Sequence, residues 1–335
     1  MSIPAAAASA QAPWQRLLAQ AICDPAQLLR ALSLPDHLLP AARRAAALFP
    51  LRVPAPYLAR IAAGDAADPL LRQVLPLDVE CEPQPGFSAD PLAEAATQPV
   101  PGLLKKYHGR ALLIATGACA IHCRYCFRRH FPYADAHAGG SRLEPALAAI
   151  AADGSIGEVI LSGGDPLTLG DLRLAALAQR LAAIPHIHTL RIHSRLPVVL
   201  PQRVDAALLR WLAPLSLRKV LVLHTNHPAE IDADVAAALA GLTHSGVTLL
   251  NQAVLLRGVN DNADTLIALS ERLHDVGVLP YYLHLLDRVQ GAAHFDVPQA
   301  SGEALINTMR ARLPGYLVPR LVREIPGASG KTLIA

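Results

Sequence analysis

Apolar and polar positions follow two different patterns along this chain of 335 residues. In the first third, apolar positions recur at helical spacing from Pro13 to Leu32 and from His37 to Ala47, and proline-rich stretches follow around Pro54 to Pro56 and from Pro83 to Pro101. Residues 1–105 are therefore predicted to form an N-terminal extension of helices and loops.

From Ala111 onward, short apolar runs alternate with helical stretches, which is typical of a parallel sheet with crossover helices. The six predicted strands are Ala111–Thr116, Gly157–Leu161, His188–His193, Lys219–His224, Val247–Ala253 and Leu279–Leu286. The predicted helices are Glu144–Ala152, Leu172–Ala183, Arg203–Ala213, Glu230–Ser245, Ala263–Val276 and Gly302–Leu313. The pattern predicts an α/β fold.

Polar residues at the strand ends decide between an open doubly wound sheet and an incomplete barrel. The strands end, in order, in a cysteine-containing loop, Ser162–Asp165, Ser194–Arg195, His224–His227, Asn251–Gln252 and Asp287. A ring of strands points all of these into one mouth, whereas an open sheet scatters them. We predict a partial (β/α)6 TIM-type barrel at residues 106–300, the N-terminal helical extension before it and a C-terminal segment at residues 301–335.

Composition narrows the possible partners and the compartment. The net charge is only +3 and the basic residues are scattered, so neither nucleic acid nor an anionic membrane is an expected partner. No apolar run reaches the roughly 20 residues needed to span a bilayer, and the alanine-rich start has no charged segment typical of a signal peptide. We predict a cytoplasmic protein acting on a small polar substrate.

Three cysteines carry the strongest chemical signal. Cys119, Cys123 and Cys126 have the spacing C-x3-C-x2-C, and thiolates this close together commonly ligate a metal centre. A four-iron cluster normally takes four protein ligands, so three cysteines leave one iron open to a substrate or cofactor. The spacing predicts a [4Fe-4S] cluster with an open iron.

Two other interpretations of the cysteines are less favoured. A structural zinc site completed by His122 or His130 would usually need a second, separated pair of ligands, which the chain lacks. Disulfides are disfavoured because the only other cysteines, Cys23 and Cys81, bring the total to an odd five. Those two are expected to be ordinary small apolar residues.

The turn after the second strand adds a second signal. In Ser162–Asp165 the glycines permit close backbone approach to a ligand, and Asp165 can accept hydrogen bonds from an ammonium group, although Gly-Gly-Asp alone is also an everyday turn. Together with the three cysteines, this turn resembles the radical S-adenosylmethionine superfamily. The resemblance implies S-adenosylmethionine as a cofactor, contacted by Tyr125, Ser162, Gly163, Gly164, Asp165, Ser194 and Gln252.

Several longer stretches narrow the resemblance. They are Lys106–Arg110, Cys123–Arg129, Leu161–Leu167, Ser194–Val199, Asn251–Asp261 and Pro280–Phe295. These stretches resemble one family within that superfamily, the lysine 2,3-aminomutases, and the resemblance covers most of residues 68–331. The resemblance implies a pyridoxal 5′-phosphate enzyme that converts free L-α-lysine to β-lysine by a 1,2-amino shift. A 5′-deoxyadenosyl radical starts this reaction, and an electron donor such as flavodoxin or ferredoxin reduces the cluster.

Pyridoxal phosphate requires a lysine, and the chain has only four. Lys331 lies in the small-residue turn Pro326–Lys331, which resembles the family's glycine-rich motif bearing the Schiff-base lysine. A phosphate-binding P-loop is the alternative, but its G-x4-G-K-[ST] spacing would need glycine where Ile325 stands. Lys331 is therefore the expected Schiff-base residue.

The family pattern also implies how the substrate and cofactor are held. Lys106, Tyr107 and Arg110 match the site for the cofactor phosphate, and Arg128 matches the arginine that binds the substrate carboxylate. Asp287 and Glu324 match the acidic pair that recognises the distal ammonium group. Opposite charges at the two ends of a pocket suit a diamine acid such as lysine.

Two departures from the catabolic members point to one branch of the family. Glu324 stands where those members have aspartate, and the chain ends four residues after Lys331, whereas they continue into a segment used in oligomer assembly. This resembles the branch that supplies (R)-β-lysine for modification of elongation factor P by its lysyl-ligase.

Three other functions were considered. One is a catabolic lysine 2,3-aminomutase. Another is a glutamate 2,3-aminomutase, which would need a basic residue in place of Asp287 or Glu324. The third is a non-catalytic iron-sulfur protein in electron transfer or sensing, which has no reason to keep Lys331, Asp287 and Arg128 in these contexts.

Overall fold

The computed structural model describes residues 12–133 and 142–335, and its strands form a single sheet. The strands are β1 (Leu103–Leu104), β2 (Arg110–Thr116), β3 (Glu158–Gly163), β4 (Thr189–Ser194), β5 (Arg218–Leu223), β6 (Val247–Val254), β7 (Leu279–His284), β8 (Arg320–Arg323) and β9 (Thr332–Leu333). Each strand pairs with the next one in the chain, so spatial order follows sequence order.

The seven strands β2 to β8 are parallel, and the short β1 and β9 pair antiparallel at the two edges. Within residues 12–133 and 142–335 the first and last strands do not pair with each other, so the barrel is open. The predicted α/β partial barrel is confirmed, with all six predicted strands present. The pattern missed β1, β8 and β9, which have only two to four residues each.

Helices join consecutive parallel strands. They are Leu143–Ala152, Asp171–Ala182, Ala206–Leu212, Ala233–His244, Ala263–Asp275 and Gln299–Arg312, with a short turn of helix at Leu196–Val199. Two predicted starts, at Arg203 and Glu230, were too early. Asp205 and Asp232 cap these helices by accepting hydrogen bonds of 2.9 Å from the backbone of Leu208 and Val235, so each helix begins just after its aspartate.

The N-terminal extension consists of the short helices Pro13–Ala19, Pro25–Ala31, Leu39–Leu48, Ala55–Leu58 and Pro69–Arg72. The single helical run predicted over Pro13–Leu32 was wrong. Pro25 starts a new helix, and the residue before a proline is disfavoured in helical conformation. Asp24 is accordingly extended, and its side chain caps the second helix at the backbone of Ala26.

The extension packs against the barrel in one continuous apolar core. Trp14, only 2% exposed, lies under the Arg203 guanidinium at 4.6 Å, and Arg60 donates hydrogen bonds to the carbonyls of Val198 and Glu230. The division of the chain at residues 105 and 300 stays a prediction. Among the described residues, no helix is both long and apolar enough to cross a membrane.

Candidate active site

The carboxyl ends of the parallel strands surround one cavity of about 270 Å³. All seventeen residues that the sequence proposed for the site line this cavity: Lys106, Tyr107, Arg110, Cys119, Cys123, Tyr125, Cys126, Arg128, Ser162, Gly163, Gly164, Asp165, Ser194, Gln252, Asp287, Glu324 and Lys331. Residues separated by more than two hundred positions in the chain therefore meet in one space.

The cysteine loop leaves the end of β2 and forms one part of the cavity wall. All three thiols are free, and burial raises the pKa of Cys119 well above its usual range and that of Cys126 to about 11. Among the described residues, no three His, Cys, Asp or Glu side chains converge as ligands of a single ion. Three free thiols in one wall of the cavity fit a multi-iron cluster, in which each sulfur binds a different iron.

The two glycines at the end of β3, Gly163 within the strand and Gly164 just after it, allow the chain to pack directly on the start of the cysteine loop. Gly163 has φ +122°, and a Cβ there would lie 2.4 Å from the carbonyl oxygen of Thr116. A Cβ on Gly164 would lie 2.3 Å from the carbonyl oxygen of Ala118. Any larger residue would therefore push the two strand ends apart.

Asp165 joins the ends of β3 and β4. Its two carboxylate oxygens accept hydrogen bonds from the Ser194 hydroxyl at 2.7 Å and from the backbone N–H groups of Leu167, Arg195 and Leu196 at 2.8–3.1 Å. Burial raises the pKa of Asp165 to about 6. A carboxylate can accept about four hydrogen bonds, and Asp165 accepts four, so it organises this turn. The predicted contact between Asp165 and an ammonium group stays a prediction.

Lys331 and Glu324 meet across the turn between β8 and β9. Arg323 is the register partner of Thr332, so Glu324 and Lys331 are the next pair, and their Nζ–Oε2 distance is 2.9 Å. Lys106 Nζ lies 2.9 Å from the other oxygen of Glu324. Although burial alone would raise the pKa of Glu324, the charges of Lys331 and Lys106 hold it below its usual range.

Asp287 has a different environment from Glu324. Burial, reinforced by the nearby Glu324 charge, raises the pKa of Asp287 to about 7. No donor among the described residues hydrogen-bonds to its carboxylate. The two predicted acidic residues thus lie in the same cavity, one paired with two lysines and the other open to a ligand.

Arg128 lines the cavity beside the cysteine loop and is held by an acidic partner. Its guanidinium donates to both oxygens of Glu94, at 2.7 and 2.9 Å, and to the Ser162 hydroxyl at 3.0 Å. It also stacks on Phe127, with 4.7 Å from its central carbon to the ring centre. These contacts fix the plane of the guanidinium.

The remaining predicted residues occupy the walls between these groups. Arg110 stacks over the Tyr107 ring at 4.9 Å, beside Lys106. Tyr125 accepts a hydrogen bond of 2.7 Å from the Asn226 amide, and Gln252 lies 3.1 Å from the ring nitrogen Nε2 of His224.

Sequence reasoning missed several residues of the cavity, foremost Glu94 and the histidines His193 and His284. Burial lowers the pKa of both histidines well below the usual range, and neither Nε2 has a hydrogen-bond partner among the described residues. Their positions in β4 and β7 were the available signal, because polar residues near the carboxyl ends of barrel strands face the site. Glu94 lies in an irregular, proline-rich stretch whose sequence gave no sign that it would reach the cavity.

Comparison with known proteins gives a consistent result. The chain is 51% identical to the L-lysine 2,3-aminomutase of Escherichia coli K12 over 95% of its own length and 93% of that protein. It is 49% identical to the Haemophilus influenzae L-lysine 2,3-aminomutase, covering 96% and 95% of the two chains, and 38% identical to that of Clostridium subterminale, covering 82% and 66%.

No family model matches the chain. Among solved structures, a radical SAM methyltransferase from Sphaerobacter thermophilus superposes with a TM-score of 0.46 and 16% identity, covering 68% of this chain and 72% of the other. The sequence similarity to the E. coli and H. influenzae aminomutases extends over nearly the whole length of this chain and of both relatives. The chain therefore belongs to the family of the L-lysine 2,3-aminomutases.

Proposed function

We propose that this protein converts L-α-lysine to β-lysine by a 1,2-amino shift. The observation that carries the proposal is the distribution of charge within one cavity. In one part Arg128, although paired with Glu94 and Ser162, keeps two N–H donors free. In another part Asp287 has no hydrogen-bond donor among the described residues, and Lys331 lies near it with Glu324. A substrate with a carboxylate at one end and an ammonium group at the other matches Arg128 with the first group and Asp287 with the second.

The cofactors of this family are a [4Fe-4S] cluster, S-adenosylmethionine and pyridoxal phosphate. When bound, the first two supply a carbon-centred radical, and the third activates the substrate amino group for migration. Cys119, Cys123 and Cys126 would ligate the cluster, since their thiols are free and line the cavity. S-adenosylmethionine would bind against the turn that Asp165 holds and the residues around it: Tyr125, Ser162, Gly163, Gly164, Ser194 and Gln252.

Lys331 would hold the pyridoxal aldehyde, and Lys106, Tyr107 and Arg110 would hold the phosphate. A phosphate dianion needs cationic and hydroxyl donors, and these three side chains lie side by side in the wall. Asp287 and the neighbouring Glu324 would face the distal ammonium group of lysine, and Lys106 would stay paired with Glu324.

The same charges argue against a glutamate substrate. A second carboxylate at the distal end would face Asp287 and Glu324, and like charges in a buried site repel strongly. The strand ends bound the cavity on one side and the cysteine loop bounds it on the other, so substrate and cofactors held between them would be shielded from water.

The direct experiment is anaerobic reconstitution followed by incubation with L-lysine, S-adenosylmethionine and a chemical reductant, with chiral chromatography of the products. We expect β-lysine. Rearrangement of a different amino acid, with lysine untouched, would reject the substrate. Cys123→Ala should abolish turnover but keep pyridoxal binding, whereas the matched variant Cys23→Ala changes an exposed thiol and should behave as wild type.

We further propose that the product is (R)-β-lysine, that it is made in the cytoplasm, and that it serves the lysyl-ligase that modifies elongation factor P. Glu324 in place of aspartate supports this branch, as does the higher identity to the E. coli and H. influenzae proteins than to the clostridial one. Mass spectrometry of elongation factor P from cells lacking this protein tests it, since the β-lysyl group should be missing and return on complementation. Reduction by purified flavodoxin or ferredoxin identifies the electron donor.

A further inference from the structure

A continuous series of alternating charges runs along the cavity wall from Arg128 to Lys331. Arg128 pairs with Glu94 at 2.7 Å, Glu94 with Lys106 at 3.0 Å, Lys106 with Glu324 at 2.9 Å and Glu324 with Lys331 at 2.9 Å. Four of these five residues were predicted to bind cofactor or substrate. Glu94 is the fifth, and it links the cation proposed for the substrate carboxylate to a cation proposed for the cofactor phosphate.

Glu94 is fully engaged by these two cations. Its side chain is only 3% exposed, and its Oε1 accepts from both Arg128 Nη2 and Lys106 Nζ, while Oε2 accepts from Arg128 Nε. Burial alone would raise the pKa of Glu94, but Arg128 and Lys106 lower it below its usual range. The backbone N–H of Glu94 donates to Asp90 at 3.0 Å, which fixes the carboxylate at the start of the short helix Glu94–Thr97.

The geometry of the guanidinium shows what Glu94 leaves free. Glu94 occupies the side of the fork that carries Nε and Nη2, and Ser162 takes one N–H of Nη1. A guanidinium has five N–H donors, so one on Nη1 and one on Nη2 remain. A second carboxylate can approach that edge without displacing the first.

We propose that Glu94 is a positioning residue for the substrate carboxylate, an inference that rests on the proposed function of Arg128. By holding the Nε side, Glu94 turns the free edge of the Arg128 guanidinium toward the cavity. Without this contact, the long Arg128 side chain would sample other rotamers, and binding the substrate would then require ordering it. Glu94 thereby favours substrates that carry an α-carboxylate.

The test compares L-lysine with L-lysinamide, which has no carboxylate, on the holoenzyme. Binding is followed by the absorbance change of bound pyridoxal phosphate, without reductant, so that it does not depend on turnover. In Glu94→Gln we expect Kd for lysine to rise about tenfold or more, while Kd for lysinamide stays near the wild-type value. Glu94→Asp keeps the charge and should recover part of the lost lysine affinity.

Matched measurements separate this role from a general loss of structure. Glu82→Gln changes an exposed glutamate of the same extension and should leave both dissociation constants unchanged. Equal weakening of lysine and lysinamide binding in both Glu94 variants, or no change in either, would overturn the proposal. Tighter lysine binding in Glu94→Gln would overturn it too, because Glu94 would then be competing with the substrate.

The same comparison distinguishes failure of the inference from failure of the proposed function. A wild-type enzyme that binds lysine far better than lysinamide but forms no β-lysine rejects the function, and the Glu94 variants still decide the inference. A wild-type enzyme that does not discriminate between the two ligands rejects the carboxylate site at Arg128, and Glu94 as its positioning residue with it.

Discussion

The guanidinium of Arg195 donates a hydrogen bond of 2.7 Å from Nη1 to the Sγ atom of Cys123. Its other nitrogen, Nη2, is held by Glu230 at 2.8 Å and by Gln73 at 2.6 Å, so the side chain cannot turn away. Arg195 follows β4, whereas Gln73 comes from the N-terminal extension. The extension therefore contributes directly to the environment of a proposed cluster ligand.

This relationship predicts that Arg195 raises the reduction potential of the cluster. A positive charge and a hydrogen bond at a cluster sulfur favour the reduced, more negative state. A charge-assisted hydrogen bond contributes roughly 1.5 kcal/mol or more, so Arg195→Gln should lower the midpoint potential on the order of 60 mV. Redox titration followed by electron paramagnetic resonance measures this shift.

Two observations make that result specific. Arg195→Lys keeps the positive charge and should shift the potential less than Arg195→Gln does. Iron and sulfide analysis must show that each variant retains a complete cluster. An intact cluster in Arg195→Gln with the wild-type potential contradicts the prediction.

A second prediction concerns the lysine that holds pyridoxal phosphate. Lys331→Ala removes the only amine proposed to bind the aldehyde, so borohydride reduction should no longer attach the cofactor to the protein. In the wild type, peptide mapping should locate the label at Lys331. Lys219→Ala is the matched control, because Lys219 lies near the amino end of β5, where it donates to the carbonyl of Ala213. Label found at Lys106 in the wild type would contradict the assignment.

The long strands of the sheet could be predicted from the sequence, whereas the short ones could not. The strands β2 to β7 were predicted because each has six to eight residues with apolar side chains that are either consecutive, as in Val159–Leu161, or alternating, as at Leu190 and Ile192. Strand β8, Arg320–Arg323, has only two apolar residues, which stand together between two arginines, and it gave no clear signal. Motif resemblance compensated for this miss, since it identified Glu324 at the end of β8 without the strand being recognised.

The partners of the site residues were not predictable. Glu94 and Arg128 are 34 positions apart, and their contact depends on how an irregular segment folds over the mouth of the barrel. Glu324 was expected to face the substrate, but its pairing with Lys331 follows from the register of a two-residue edge strand. Such long-range and edge contacts leave no periodic pattern in the sequence.

A third prediction uses the carboxyl group of Asp287, whose pKa is raised from 3.8 to about 7 mainly by burial. The folded protein binds this proton more tightly than the unfolded chain, so the contribution of Asp287 to stability falls as the pH rises from about 4 to about 7. Asp287→Asn removes this dependence, and the cofactor-free variant should be more stable than wild type at pH 8. Urea unfolding at pH 5 and pH 8 measures the difference.

The exposed Asp275→Asn serves as its control and should keep the pH dependence of the wild type. In the holoenzyme, lysine binding should strengthen as the pH rises through about 7, because the ionised Asp287 carboxylate binds the ammonium group. If the Asp287→Asn variant were less stable than wild type at pH 8, this result would contradict the buried environment that raises the pKa of Asp287.

The last prediction concerns how the N-terminal extension supports the cysteine loop. Glu80, fully buried, accepts hydrogen bonds from Arg124 at 2.6–3.1 Å and from Arg129 at 2.9 Å. Both arginines belong to the loop that carries Cys123 and Cys126. Glu80→Ala would leave two buried cations without their carboxylate, and removing one member of a buried ion pair typically costs about 3–5 kcal/mol.

Urea unfolding of the cofactor-free protein should therefore show a much lower midpoint for Glu80→Ala, and iron incorporation should fall as the cysteine loop loses its support. Asp78→Ala provides the comparison from the same short helix, Asp78–Cys81, because Asp78 pairs with Arg44 at the surface. Exposed ion pairs contribute little to stability, so this variant should unfold close to wild type. A midpoint for Glu80→Ala as high as that for Asp78→Ala would mean that the cysteine loop does not depend on Glu80 for its support.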